Sequence, residues 1–205
     1  MKNLKLHGYW RSSATWRVRI ALNLKGLSYD YIPVHLLEGG GAQHSAAFRS
    51  KNPMAQVPVL ELWDGRVVSQ SVAIIAWLEQ HKPEPSLLPQ DPYVLARAWQ
   101  AAELVNSGIQ PLVNLSVMNA LKARGVDEAA WAKECITKGL LALEAMLAGG
   151  TTRFALADTP TLADIFVVPQ LYGARRYSVD LALMPSLLRI EAECEKLAAF
   201  ARAHP

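Results

Sequence analysis

The segment Ser12-Ser13-Ala14-Thr15-Trp16-Arg17 places three hydroxyls between an extended run and a run of helical periodicity. The first N–H groups of a helix have no partner within it, and the aligned peptide dipoles leave a partial positive charge at that end. An anion, such as a thiolate carried in by a ligand, gains about 0.3–1 kcal/mol at such a place. The plainer reading is that one of these hydroxyls caps the helix. A second polar spot is Gln56-Val57-Pro58-Val59, where a proline precedes a strand. A cis Val57–Pro58 bond would turn the N–H and C=O of Val57 toward a bound peptide-like molecule, although trans is the common state. The third spot, Gln70-Ser71, opens another helical run and suits a carboxylate, through the Ser71 hydroxyl and the unpaired N–H groups. There, too, capping is the ordinary role.

Other chemistries find little support in the sequence. The two cysteines, Cys135 and Cys194, provide neither a CxxC motif nor a disulfide framework, so any sulfur chemistry must use a ligand's sulfur. His7, His35, His44, His81 and His204 show no metal-binding spacing, and no metal is expected. Formal net charge is +3, with nine Lys/Arg against five Asp/Glu in residues 1–80 and eleven against twelve in residues 86–205. That asymmetry is too mild for a nucleic-acid binder and fits a small anion better. Arg17 and Arg19 diverge by about 200° on a helix and form no basic stripe. Trp63, Trp77, Trp99 and Trp131 read as packing or interface residues. No apolar run approaches the roughly 18 residues of a membrane span, and the opening residues lack a secretory apolar core, which predicts a cytoplasmic protein without membrane association.

The elements that must hold the three polar spots follow from periodicity. Over residues 1–80, short extended runs alternate with helical ones: a strand at Leu4–Trp10, a helix at Thr15–Lys25 closed by Gly26, and a strand at Tyr29–His35. A glycine loop, a short helical stretch near Ser45–Arg49, a hairpin of Val59–Leu62 and Val67–Ser69, and a helix at Ser71–Gln80 complete a β-α-β-α-β-β-α order. Pro83, Pro85, Pro89 and Pro92 make residues 81–92 a linker. Residues 93–205 show only helical periodicity, in Tyr93–Asn106, Glu128–Ala148 and Leu162–Gln170, with Met184–Phe200 less regular. The fold class is therefore α/β followed by all-α. Thr161 and Asp164 have capping-box spacing and read as structural.

The order of these segments is more specific than any one of them. Ser12-Ser13-Ala14-Thr15-Trp16-Arg17-Val18-Arg19-Ile20-Ala21-Leu22, Asn52-Pro53-Met54-Ala55-Gln56-Val57-Pro58, Gln70-Ser71, Leu87-Leu88-Pro89 and Gln110-Pro111-Leu112-Val113-Asn114-Leu115-Ser116 together resemble the zeta class of glutathione transferases over essentially the whole chain. The resemblance implies a thioredoxin-like glutathione-binding domain at 1–80, a helical-bundle substrate domain at 93–205, and a homodimer. It implies a glutathione-dependent cis–trans isomerisation of a maleyl oxo dicarboxylic acid, maleylacetoacetate or maleylpyruvate, in tyrosine or other aromatic catabolism.

By the same resemblance, Ser12 would hydrogen-bond the glutathione thiolate, with Ser13 and the helix start at Ala14, Thr15, Trp16 and Arg17 assisting. Gln43 and Val57 would hold the cysteinyl and glycyl parts, and Gln70 and Ser71 the γ-glutamyl carboxylate. Gln110, Asn114, Leu115 and Ser116, expected on the first helix of the second domain, would close the site. Arg176 matches an arginine facing the substrate carboxylate, and only one of the adjacent Arg175 and Arg176 can face a cleft. Where the class usually reads Ser-Ser-Cys, Ala14 removes the protein thiol. A general transferase or dehalogenase remains an alternative. So does a non-catalytic protein that keeps the fold, although such a chain would be free to lose Ser12, Gln70 and Ser71.

Overall fold

The computed structural model describes residues 3–205. They form two compact units, residues 3–86 with 198–205, and residues 87–197. In the first unit, β1 (Leu4–Gly8), β2 (Tyr29–Pro33), β3 (Val59–Glu61) and β4 (Val67–Ser69) make a four-stranded sheet in the order β2-β1-β3-β4. β1 pairs parallel with β2 and antiparallel with β3, which pairs antiparallel with β4. Helices α1 (Ser13–Leu24), α2 (Ala46–Arg49) and α3 (Ser71–His81) complete the predicted order. Leu6, Leu60, Ile20, Leu22, Ile74 and Leu78 are fully buried, as a sheet face covered by apolar helix stripes requires.

Local sequence explains the boundaries. Gly26 takes φ +62 after α1, and the Leu27 N–H reaches back to the Leu22 carbonyl (3.0 Å). β1 stops at Gly8 rather than continuing to Trp10, because α1 crosses close by. A Cβ on Gly8 would stand 2.2 Å from Thr15 Cγ2. Buried Lys25, at the end of α1, pairs with Glu79 of α3 (2.6 Å) and donates to the carbonyls of Pro83 (2.9 Å) and Pro85 (2.7 Å). All three ammonium hydrogens are thereby used, which a buried lysine needs.

Glu61 on β3 accepts from Lys5 Nζ (2.9 Å) and Lys51 Nζ (2.7 Å) and lies 3.1 Å from His7 Nε2. Hydrogen bonds from Lys51 and then Lys5 hold its carboxyl down to about 2, against opposing desolvation. Between the ordinary carboxylate range and pH 2 the unfolded chain therefore binds a proton that the folded chain does not, and stability falls as pH drops. In urea unfolding from pH 7 to pH 2.5, Glu61→Gln should remove part of that acid-limb slope and lower stability at neutral pH.

The second unit contains α4 (Pro92–Asn106), α5 (Leu115–Lys122), α6 (Glu128–Leu147), α7 (Leu162–Arg176) and α8 (Pro185–Glu195). α4 packs on α7 and α6, and α8 packs on α7 and α6. Three points differ from the sequence reading. α5 is a separate short helix. α7 continues past Gln170 to Arg176 and carries Pro169 inside it. The closing helix α9 (Ala198–Ala203) belongs to the first unit, where it packs on α1 and the Ala199 carbonyl accepts from Asn23 Nδ2 (2.9 Å). A six-residue amphipathic segment carries no signal of which apolar surface it will cover. At the other boundary, the Leu87 carbonyl accepts from the Leu162 N–H (2.8 Å), which fixes the end of the connecting segment to the second unit.

Candidate active site

Sheet register brings the sequence-predicted groups of the first unit to one edge. His7 stands opposite both Ile32 and Val59, Gly8 opposite Pro33, and Val59 opposite Ser69. The segments leaving β1 toward Ser12, leaving β2 toward Gln43, entering β3 through Val57 and leaving β4 at Gln70 thus all run along the same end of the sheet. Antiparallel pairing of β3 with both neighbours makes this so.

Ser12 terminates a tight turn, its N–H bonded to the Tyr9 carbonyl (3.0 Å), and it caps α1. Its Oγ accepts from the Thr15 N–H (3.2 Å), and its carbonyl accepts from the Trp16 N–H (2.8 Å). A hydroxyl has one hydrogen and two lone pairs, so capping leaves the Ser12 hydrogen able to donate to an anion. Cap and anion site are therefore compatible. Ser12, Ser13 and Ala14 are half-buried, whereas Thr15, Trp16 and Arg17 are buried. Arg19, read from the sequence only as part of no basic stripe, donates from Nη2 to the Trp10 carbonyl (2.8 Å) and fixes the turn that presents Ser12.

Gln43 lies in the glycine-containing loop after β2. Its Nε2 donates to the Leu36 carbonyl (3.3 Å), while its buried Oε1 has no partner among the described residues. Such an acceptor costs about 1–3 kcal/mol and is ready for an N–H of a bound molecule. Buried Asn52 shapes the approach to β3: its Nδ2 donates to the Gln56 carbonyl (2.7 Å), and its Oδ1 accepts from the Met54 N–H (3.1 Å). The Val57–Pro58 bond is cis, and Val57 packs on Val34, Phe48 and Val59. Among the described residues, neither the N–H nor the C=O of Val57 has a hydrogen-bond partner.

Gln70 takes φ +70, a left-handed conformation that costs a non-glycine residue on the order of 1 kcal/mol or more. It holds the N-cap position of α3 without capping it by its side chain, and Ser71 begins the helix. The structure thus gives this helix start no side-chain cap, the ordinary role expected of it.

In the second unit, Gln110, Asn114, Leu115 and Ser116 do not lie on the first helix, which ends at Asn106. Gln110 starts a 3-10 turn, Gln110–Val113, and donates from Nε2 to Gln170 Oε1 (3.4 Å). Asn114 caps α5: its Oδ1 accepts from the Val117 N–H (3.0 Å) and the Ser116 hydroxyl (2.7 Å), and Leu115 is the first helical residue. Pro111 has no N–H to donate and does not fit a helix interior, so the placement on the first helix that the resemblance implied does not hold. Arg175 makes a bidentate pair with Glu191 of α8, with Nη1–Oε1 at 2.6 Å. Exposed Arg176 ends α7 with its guanidinium 5.7 Å from the Tyr177 ring centroid, and among the described residues it has no ion pair. Of the two arginines, Arg176 is the one whose charge is not already neutralised by a carboxylate. Burial pushes both Cys135 and Cys194 thiols up, Cys194 the more strongly, so neither supplies a thiolate near neutral pH. Among the described residues there is no group of three or more His, Cys, Asp or Glu that could hold a metal, and no helix long and apolar enough to cross a membrane.

A four-stranded mixed sheet of this order with its helices, followed by an all-helical unit, is a thioredoxin-like domain plus a helical domain, the class of a glutathione transferase. Residues 11–81 match the glutathione S-transferase N-terminal domain family and residues 97–203 the C-terminal domain family. The chain belongs to the glutathione S-transferase family. It is 42% identical to maleylacetoacetate isomerase of Rattus norvegicus over 98% of this chain and 91% of the relative. Maleylacetoacetate isomerase from Anaeromyxobacter dehalogenans, solved with glutathione in its active site, is 48% identical with TM-score 0.90, covering 99% of this chain and 95% of that one. A bacterial zeta-class maleylpyruvate isomerase is 42% identical with TM-score 0.93, covering 98% and 96%. Within the family, the chain is of the zeta class.

Proposed function

We propose that this protein is a glutathione-dependent cis–trans isomerase of a maleyl-substituted oxo acid, maleylacetoacetate or maleylpyruvate, in aromatic catabolism. The observation that carries the reading is the Ser12 hydroxyl at the start of α1, on the same sheet edge as the unpartnered polar groups of Gln43 and Val57. When bound, glutathione supplies a thiolate that adds reversibly to the maleyl double bond, leaving a single bond free to rotate before the sulfur departs. Ser12 donates its hydroxyl hydrogen to that sulfur, and the positive end of α1, with Ser13 and Ala14, favours the anion. Gln43 Oε1 and the Val57 backbone hold the peptide portion, and the start of α3 at Gln70 and Ser71 takes the γ-glutamyl carboxylate. Gln110, Asn114, Leu115 and Ser116 complete the glutathione site. Arg176 binds the substrate carboxylate and stabilises the charge that develops on the adduct. The working form is a cytoplasmic homodimer.

An ultraviolet assay with both maleyl acids, with and without glutathione, tests the reading. Turnover should require glutathione and leave its concentration unchanged; stoichiometric consumption would instead indicate a conjugating transferase. Arg176→Ala should lower kcat/KM for the maleyl acid by about tenfold or more while sparing the KM for glutathione. Equal loss of both would remove Arg176 from the substrate site.

A further inference from the structure

His35 follows β2 and is assigned no role in the chemistry above. Its Nδ1 lies 3.0 Å from the Glu38 N–H and 3.4 Å from the Leu37 N–H, both of which donate to it. A nitrogen that accepts carries a lone pair, so the ring proton sits on Nε2, which faces Glu38 Oε1 at 3.3 Å. The His35 carbonyl accepts from the Ala42 N–H (2.8 Å), closing the loop one residue before Gln43. The ring also meets Tyr9 edge-on, with centroids 5.3 Å apart, and the Tyr9 carbonyl anchors the Ser12 N–H. One side chain therefore joins the loop bearing Gln43 to the turn bearing Ser12.

The loop needs such a tie. Gly39, Gly40 and Gly41 are consecutive, all at positive φ, and three glycines have more backbone freedom to lose than any other tripeptide. We propose that His35 is a positioning residue for glutathione binding: its Nδ1 lone pair fixes the turn at Leu37–Glu38 and so pre-orders the loop that presents Gln43. The inference rests on reading this sheet edge as the glutathione site. Without the acceptor, ordering the loop is charged to ligand binding, which raises the KM for glutathione and leaves the chemical step alone.

The side chains of Asn and Gln separate the two ring nitrogens. Asn Oδ1 occupies the place of Nδ1 and can accept from the same two N–H groups, as in an Asx turn; Gln reaches only the place of Nε2. His35→Asn should keep the KM for glutathione within about twofold of the parent. His35→Gln should raise it about five- to thirtyfold, the loss of one to two ordinary hydrogen bonds, at unchanged kcat. Amide hydrogen exchange at Glu38 gives a readout independent of glutathione: protected in the parent and H35N, faster in H35Q. Equal behaviour of H35N and H35Q in KM and exchange would overturn the assignment. Gln43→Ala, run in parallel, distinguishes the two levels. An unchanged KM for glutathione in Q43A would show that this edge is not the glutathione site, whereas a raised KM in Q43A with parental behaviour of H35Q would overturn the role of His35 alone.

Discussion

Ser12→Ala should lower kcat by about 100- to 1000-fold, the loss seen when one preorganised donor to a developing or stabilised anion is removed. The geometry explains why so small a deletion acts twice. The Oγ lone pair that accepts from the Thr15 N–H (3.2 Å) is the N-cap of α1, worth about 1 kcal/mol, and in the proposed mechanism the hydroxyl hydrogen is the donor to sulfur. Titration of bound glutathione, followed by thiolate absorbance, should show the thiol pKa rising toward its free value in S12A, because the remaining helix-start N–H groups stabilise the anion only partly. Ser12→Thr keeps both functions in one side chain and should restore much of the activity. An unchanged thiol titration in S12A would remove Ser12 from the chemistry, whatever the loss of thermal stability.

Asp164→Ala should destabilise the protein by about 3–5 kcal/mol without any direct effect on the reacting groups. Asp164 is fully buried, and its two oxygens take three N–H and O–H donors, the Ala155 N–H at 2.8 Å, the Thr161 N–H at 2.7 Å and the Thr161 hydroxyl at 2.9 Å, besides the Cys194 thiol at 3.9 Å. This is the capping box the sequence spacing indicated, with an added strap to Ala155 in the preceding loop. Burial pushes the carboxyl up while these donors pull it back. Alanine would leave all three donors in the core without an acceptor and would open the start of α7, the helix that ends at Arg176. Thermal unfolding should show a Tm lowered by about 6–20 °C, given roughly 2–4 °C per kcal/mol for a chain of this size. A shift below about 2 °C would mean that water replaces the carboxylate and that the box is not a principal tie. Asp164→Asn, which keeps one acceptor and turns an amide donor toward other donors, should fall between.

The chain itself determined the order of its elements. Alternation of apolar residues marks β1 to β4, and the Asp64-Gly65 turn, Gly26 and the prolines of 81–92 punctuate them. These signals act between near neighbours, so they survive without a partner surface. Ser12, Gln70 and Ser71 were legible as helix starts for the same reason, whereas the role proposed for Arg176 comes from the resemblance alone. Tertiary structure decided the rest. That Ser12, His35, Val57 and Gln70 emerge along one sheet end depends on strand register, which pairs residues tens of positions apart. The left-handed backbone of Gln70 is a choice that its side chain does not announce, and Pro58 announces only the possibility of a cis bond, not its adoption. Arg19 and His35 act on carbonyls and N–H groups of turns that exist only once the sheet has formed, and α9 finds α1 only because a folded first unit leaves that surface to cover. Local propensity marked the helix starts; strand register brought them to one end of the sheet.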